Sequence, residues 1–182
     1  MKGIVFTEFL ELVEDKFGLE VVDQIIQESS AELESNGVYT AVGTYKFSEM
    51  LALLTNLSSL TKVSVNDLLH VYGLHFFSIL VKNHSNIIEM YSDPLEMLAS
   101  IEAHIHVHVR KIYPNAELPR FEILSRDQSK LEMIYYSNRS MYCFALGLME
   151  KTFEHYNESA SINYELLEND GSKVKFVIVK NE

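Results

Sequence analysis

The chain has 182 residues, 47% of them hydrophobic and 23% charged, which suits one globular domain with a real core, in one or two lobes. Its formal charge of −11, from 15 basic and 26 acidic residues, argues against general nucleic-acid binding and against docking on an anionic membrane. A lone cysteine, Cys143, excludes an internal disulfide and any cysteine-based zinc motif, and it points to a reducing compartment.

The N-terminal stretch MKGIVFTEFLELVEDKFG is broken by Glu8, Glu11, Glu14 and Asp15, so it does not read as a signal peptide. No run approaches the roughly 18 apolar residues that a membrane span needs. A soluble, cytoplasmic protein is expected. Within residues 2–17, Val5, Phe6, Phe9, Leu10, Val13 and Phe17 recur at helical spacing, and Gly18 supplies a stop. Further helices are predicted over 20–34, through Val22, Ile25 and Ile26, and over 47–60, through Met50, Leu51, Leu53, Leu54 and Leu57. The SVND run at 64–67 resembles a capping start, and a long helix follows through LLHVYGLHFFSILVK.

The period changes in the last third. RFEIL (120–124) and LEMIYYS (131–137) read as strands, and 139–156 returns to helical spacing through Met141, Phe144, Leu148 and Phe153. INYELL and KVKFVIV flank ENDGS, a hairpin signal because Asp-Gly tolerates positive φ. The expected class is α+β. A helical N-terminal lobe of about residues 1–60 joins a C-terminal lobe of about 61–182, which carries a roughly four-stranded antiparallel sheet with packed helices.

Chemistry concentrates in HIHVH, residues 104–108. On a strand, His104, His106 and His108 would share one face and could trap zinc. On a helix each two-residue step turns about 200°, so His106 points away from the other two. The flanks favour a helix. Asp93 is a plausible N-cap, Pro94 sits at the first helical position, and Leu95, Leu98, Ile101, Ile105, Val109 and Ile112 form an apolar stripe ending near Pro114. His106 then borders that stripe on the side of Val109, with Ala99 and Ala103 on its own face, and His104 and His108 lie nearer solvent. The plain alternative is a core-edge histidine bonded to a carbonyl, with a solvated pair beside it.

A second constellation is YYSNR (135–139). Tyr135, Ser137 and Arg139 alternate, so in an extended chain they project to one side and offer a phenol, an alcohol and a guanidinium. Such a set suits carboxylates or a phosphate; the alternative is an ordinary strand edge whose Arg pairs with a surface Glu. Together, a half-buried helical histidine and a carboxylate clamp are what a protein needs to hold haem, with the imidazole on iron and the clamp on the propionates.

In this order, MKG, HIHVHVRKIYP, LPRF, the YxSxR run and MYCFALGL resemble the haem nitric oxide/oxygen-binding (H-NOX) family over essentially the whole chain. The resemblance implies haem b (iron protoporphyrin IX) held between the lobes. It implies His106 as the proximal iron ligand, Tyr135, Ser137 and Arg139 on the propionates, and Pro119 pressing on the porphyrin. It places the distal wall at Val5, Phe9, Phe76, Leu80 and Phe144. Relatives that bind oxygen tightly carry a distal tyrosine, and Phe144 is the matching residue here, with Tyr136 and Tyr142 close by in sequence. A Cys-rich zinc site found in some relatives is absent. The implied function is a non-enzymatic nitric oxide sensor that excludes oxygen and signals by breaking the histidine–iron bond. Its partner would be a separate sensor histidine kinase or cyclic-di-GMP synthase/phosphodiesterase. Two competing readings are a zinc protein or hydrolase built on His104, His106 and His108, and a redox haem protein. The second would need another axial ligand, and His70, His75 and His84 read as helix-face residues.

Overall fold

A computed structural model describes residues 1–181. Contacts divide the chain into two compact units, Met1–Tyr72 and from Gly73 onward. The division falls inside a helix.

The first unit holds α1 (Ile4–Phe17), α2 (Leu19–Glu28), α3 (Phe47–Thr61) and the start of α4 (Val65–Ile88). Gly18 ends α1 with φ 90°, a conformation that glycine reaches without steric cost. The second helix stops at Glu28 and not at 34. Ser29 and Ser30 lead into turns, where hydroxyls compete with the helical ladder. Asp67 and Ser64 do exchange side-chain and backbone bonds at the start of α4, as the SVND run predicts. Phe6, Phe9, Ile25, Met50, Leu53, Leu54 and Leu57 form the core of this unit. Tyr72 closes it: its hydroxyl donates to the Val5 carbonyl at 2.6 Å, and its ring meets Phe9 edge-on at 5.4 Å.

The second unit contains the remainder of α4, then α5 (Pro94–Ala99), a π-turn (Ile101–Ile105), α6 (His106–Ile112), β1 (Arg120–Arg126), β2 (Lys130–Tyr136), α7 (Tyr142–His155), β3 (Ala160–Leu166) and β4 (Lys173–Lys180). The four strands form one antiparallel sheet in the order β1-β2-β4-β3, confirming the α+β class. Period-two alternation sends Leu131, Met133 and Tyr135 of β2 and Val174, Phe176 and Ile178 of β4 to the covered face, where all six are essentially solvent-free. Opposite each other in register stand Leu131 and Ile178, Met133 and Phe176, and Tyr135 and Val174. Each buried side chain of this size stabilises by about 1.5–3 kcal/mol. The β3–β4 turn contains Gly171 at φ 76°, as the Asp-Gly signal predicts. No described helix is long and apolar enough to cross a membrane.

Candidate functional site

The histidine-rich segment is helical, and its phase is set by one feature the apolar stripe does not foretell. Asp93 caps α5, its carboxylate accepting from the amides of Leu95 (2.7 Å) and Glu96 (3.3 Å), with Pro94 at the first position. The chain then widens into the π-turn before resuming as α6 at His106. A π-turn carries one extra residue, so it rotates everything after it relative to a regular helix. The stripe's periodicity is therefore disturbed: Ala103 is exposed, and Ile112 is 45% exposed. His106 is the residue that turns inward, 8% exposed.

His106 Nδ1 lies 2.9 Å from Glu102 Oε1, one helical turn back. The same oxygen accepts the backbone N–H of Phe121, at the start of β1, at 2.9 Å. Burial lowers the basicity of His106 and Arg110 adds to this, against the opposing pull of Glu102. The balance leaves a neutral imidazole, so its contact with Glu102 is a hydrogen bond and not an ion pair. With a carboxylate accepting at Nδ1, the ring proton resides there and the Nε2 lone pair remains for a metal.

Tyr135 is 1% exposed. Burial raises its phenol above the ordinary range against the hydrogen bonds of the Ser137 side chain and the Met141 backbone. The strand ends at Tyr136, so Arg139 is not on an extended continuation of it. Residues 137–140 form a turn, with Ser140 N–H on the Ser137 carbonyl at 3.2 Å and Ser140 at φ 51°. The turn still links the three residues, because Ser137 Oγ accepts the Arg139 amide at 3.2 Å. The Arg139 side chain is only 18% exposed and forks onto Glu117, one nitrogen on its carbonyl at 3.0 Å and the other on its carboxylate. That carboxylate is 82% exposed. The guanidinium is thus already configured for a carboxylate, the group by which a haem propionate would be held.

Between the two clusters runs a line of rings: His106 to Phe121 at 6.1 Å, then Phe121 to Tyr135 at 5.6 Å. Pro119 lies half-buried just before β1. Of the apolar residues expected to form a wall, Phe76 and Phe144 meet, with ring centres 5.5 Å apart. They are brought together by Gly73, whose added Cβ would stand 2.2 Å from the Phe144 carbonyl oxygen and 3.1 Å from the Gly147 Cα. Leu80 packs against a cluster of Phe77, Ile88, Tyr91 and Met97. Val5 is half-buried and Phe9 fully buried, both within the first unit. The Tyr136 hydroxyl donates to Glu122 at 3.0 Å beneath Arg120, and Tyr142 packs on Tyr164 at 5.3 Å.

The three histidines do not converge. His104 Nδ1 bonds the Tyr91 hydroxyl at 2.7 Å, while the His108 ring meets His84 of α4 at 5.6 Å. Among the described residues no three His, Cys, Asp or Glu side chains come together as a metal site, so the zinc reading lacks its ligand set. Sequence reasoning missed three contributors: Glu102, Glu117 and Gly73. Only Glu102 had a local signal, its i, i+4 spacing from His106.

One unit thus carries a carboxylate-oriented imidazole on a helix and a phenol–alcohol–guanidinium cluster at the end of a strand. The haem-NO-binding family model matches residues 2–164. A crystal structure of an unliganded Fe(II) H-NOX protein from K. algicida is 61% identical, with TM-score 0.98, over 100% of this chain and 97% of that one. A solution structure of the H-NOX from Shewanella woodyi, bound to IWP-051 in the Fe(II)CO state, is 35% identical with TM-score 0.82, over 100% and 95% of the two chains. An H-NOX protein from S. oneidensis in the Fe(II)NO state shares the fold at 20% identity and TM-score 0.90, with both chains covered in full. The comparison with curated proteins gave no match. The chain belongs to the haem-NO-binding, or H-NOX, family.

Proposed function

We propose that this protein is a cytoplasmic haem b sensor that takes nitric oxide at ferrous iron, excludes oxygen, and signals to a separate effector. The single observation that carries this reading is the tether of His106 to Glu102, which orients one buried imidazole with its free lone pair away from the carboxylate. Haem held here supplies a ferrous iron able to bind a diatomic gas. His106 is the proximal ligand. Tyr135, Ser137 and Arg139 hold the propionates, with Arg139 exchanging the exposed Glu117 carboxylate for one of them. Pro119 bears on the macrocycle. Val5, Phe9, Phe76, Leu80 and Phe144 provide apolar wall.

Oxygen exclusion follows from what Phe144 lacks. Bound dioxygen carries partial negative charge and is retained by a hydrogen-bond donor; a phenyl ring offers none. For output, His106 would hold the iron of bound haem, and loosening of that bond by nitric oxide would free α6 to move. Because Glu102 grips both His106 and the Phe121 amide of β1, that movement reaches the sheet. The states differ in which surface they present, and an effector that prefers one of them biases the same equilibrium. The family suggests a sensor histidine kinase or a cyclic-di-GMP synthase/phosphodiesterase as that effector, with no catalysis by this chain.

The test is spectroscopic. The purified chain carries a Soret band that shifts when nitric oxide is added to the reduced form and does not change in air. His106→Gly loses the pigment unless imidazole is supplied. A colourless wild-type protein, or a His106→Gly protein with an unaltered spectrum, overturns the reading.

A further inference from the structure

The proximal segment presents a second imidazole that the haem reading leaves unused. His108 lies on α6, and the ring it meets is His84 of α4. The helical course of α4 is interrupted at His84 itself, with φ −137° and ψ 32°, before the helix resumes to Ile88. Both residues are half-buried. Their ring centres are 5.6 Å apart and their ring planes are crossed at 84°.

That spacing is informative. A divalent zinc ion sits about 2.0–2.1 Å from each ligating nitrogen and hence about 3 Å from each ring centre, so two imidazoles in a tetrahedral array have centres roughly 5–6 Å apart. The crossed planes show an edge-on meeting of the two rings and not a stack. By contrast, His104 is taken by the Tyr91 hydroxyl, although it stands one helical turn from His108. No third His, Cys, Asp or Glu joins the pair among the described residues, so water completes the coordination.

We propose that His84 and His108 form a two-imidazole site for a borderline divalent transition ion of the zinc type, separate from the site at His106. Imidazole nitrogen is the donor such ions favour over magnesium or calcium. An ion bound here clips the interrupted end of α4 to α6.

Zinc chloride is titrated calorimetrically into the full-length, tag-free chain as purified. One ion is taken up per chain. His84→Gln and His108→Gln each weaken that uptake by roughly tenfold or more, since removing a ligand costs at least what removing a ligand's supporting partner does. His104→Gln leaves it unchanged, and far-UV circular dichroism matches wild type for all three. Because zinc uptake is read without reference to pigment, loss of haem by His106→Gly does not bear on it. No uptake by the wild-type chain overturns the proposal, as does uptake that survives His84→Gln. Uptake abolished by His104→Gln reassigns the ion to the His104/His108 pair and equally overturns it.

Discussion

Glu102 receives the Nδ1 proton of His106 across 2.9 Å, and with the same oxygen it holds the Phe121 amide. One carboxylate thus fixes the tautomer of the buried imidazole and the position of the first residues of β1. Replacing it with alanine leaves two donors without an acceptor. Glu102→Ala is expected to cost about 1–3 kcal/mol of stability, read as a lower urea midpoint. In haem-loaded protein it also alters the iron–histidine stretching frequency, which Glu102→Gln, keeping an acceptor oxygen, alters less.

Gly73 permits α4 to pass against the α7 backbone. Gly73→Ala places a methyl carbon 2.2 Å from the Phe144 carbonyl oxygen, a contact that only backbone displacement relieves. The expected loss is about 1–3 kcal/mol from overpacking. Equilibrium urea unfolding checks it, and a Gly73→Ala chain as stable as wild type contradicts the close crossing.

Asp93 gives a pH signature. Burial acts to raise its pKa, but the amides of Glu96 and Leu95 and the Lys180 ammonium outweigh it and hold the carboxyl below its usual value of 3.8. A carboxyl depressed in the folded state contributes stability that is present above the unfolded value and lost as pH falls through the folded one. Wild type therefore loses stability below about pH 4 more steeply than Asp93→Asn. At neutral pH, Asp93→Ala costs about 1 kcal/mol through the lost cap. Thermal melts between neutral and acid pH distinguish the two effects.

Phe144→Tyr adds a phenol beside Phe76. On the function proposed here, the variant acquires an air-stable ferrous oxygen complex, seen as a Soret shift on aeration that wild type lacks. An unchanged spectrum in air would remove Phe144 from the distal wall.

Arg139→Lys keeps the charge but loses the planar fork. Losing one of two charge-assisted bonds worth about 1.5–3 kcal/mol predicts haem transfer to an acceptor globin at least about tenfold faster than from wild type. Ser137→Ala, which removes the hydroxyl that receives the Arg139 amide, should give a smaller acceleration.

Much of this architecture was legible along the chain because it rests on local rules. Gly18 and Gly171 announced their turns, Asp93 and Pro94 their helix start, and alternation in LEMIYY its covered face. Tyr135, Ser137 and Arg139 were found as a group, although the assumed extended geometry was replaced by a turn that Ser140 permits at φ 51°. The misreadings share a cause. The stripe from Leu95 to Ile112 presumed a constant helical period; past the wide turn Ile105 still packs on the core, but Ile112 is exposed. Glu117 and Gly73 were invisible because each matters through a residue distant in sequence, Arg139 in one instance and Phe144 in the other. Only the folded chain brings them together.

The widened turn at Ile101–Ile105 has a mechanical meaning. It stores one surplus residue directly upstream of the inward-facing imidazole. Should that coil tighten to ordinary pitch, the surplus passes down the segment and swings every side chain from position 106 onward by roughly 100° about the axis. A small local rewinding is thereby geared into a large reorientation, with no hinge required.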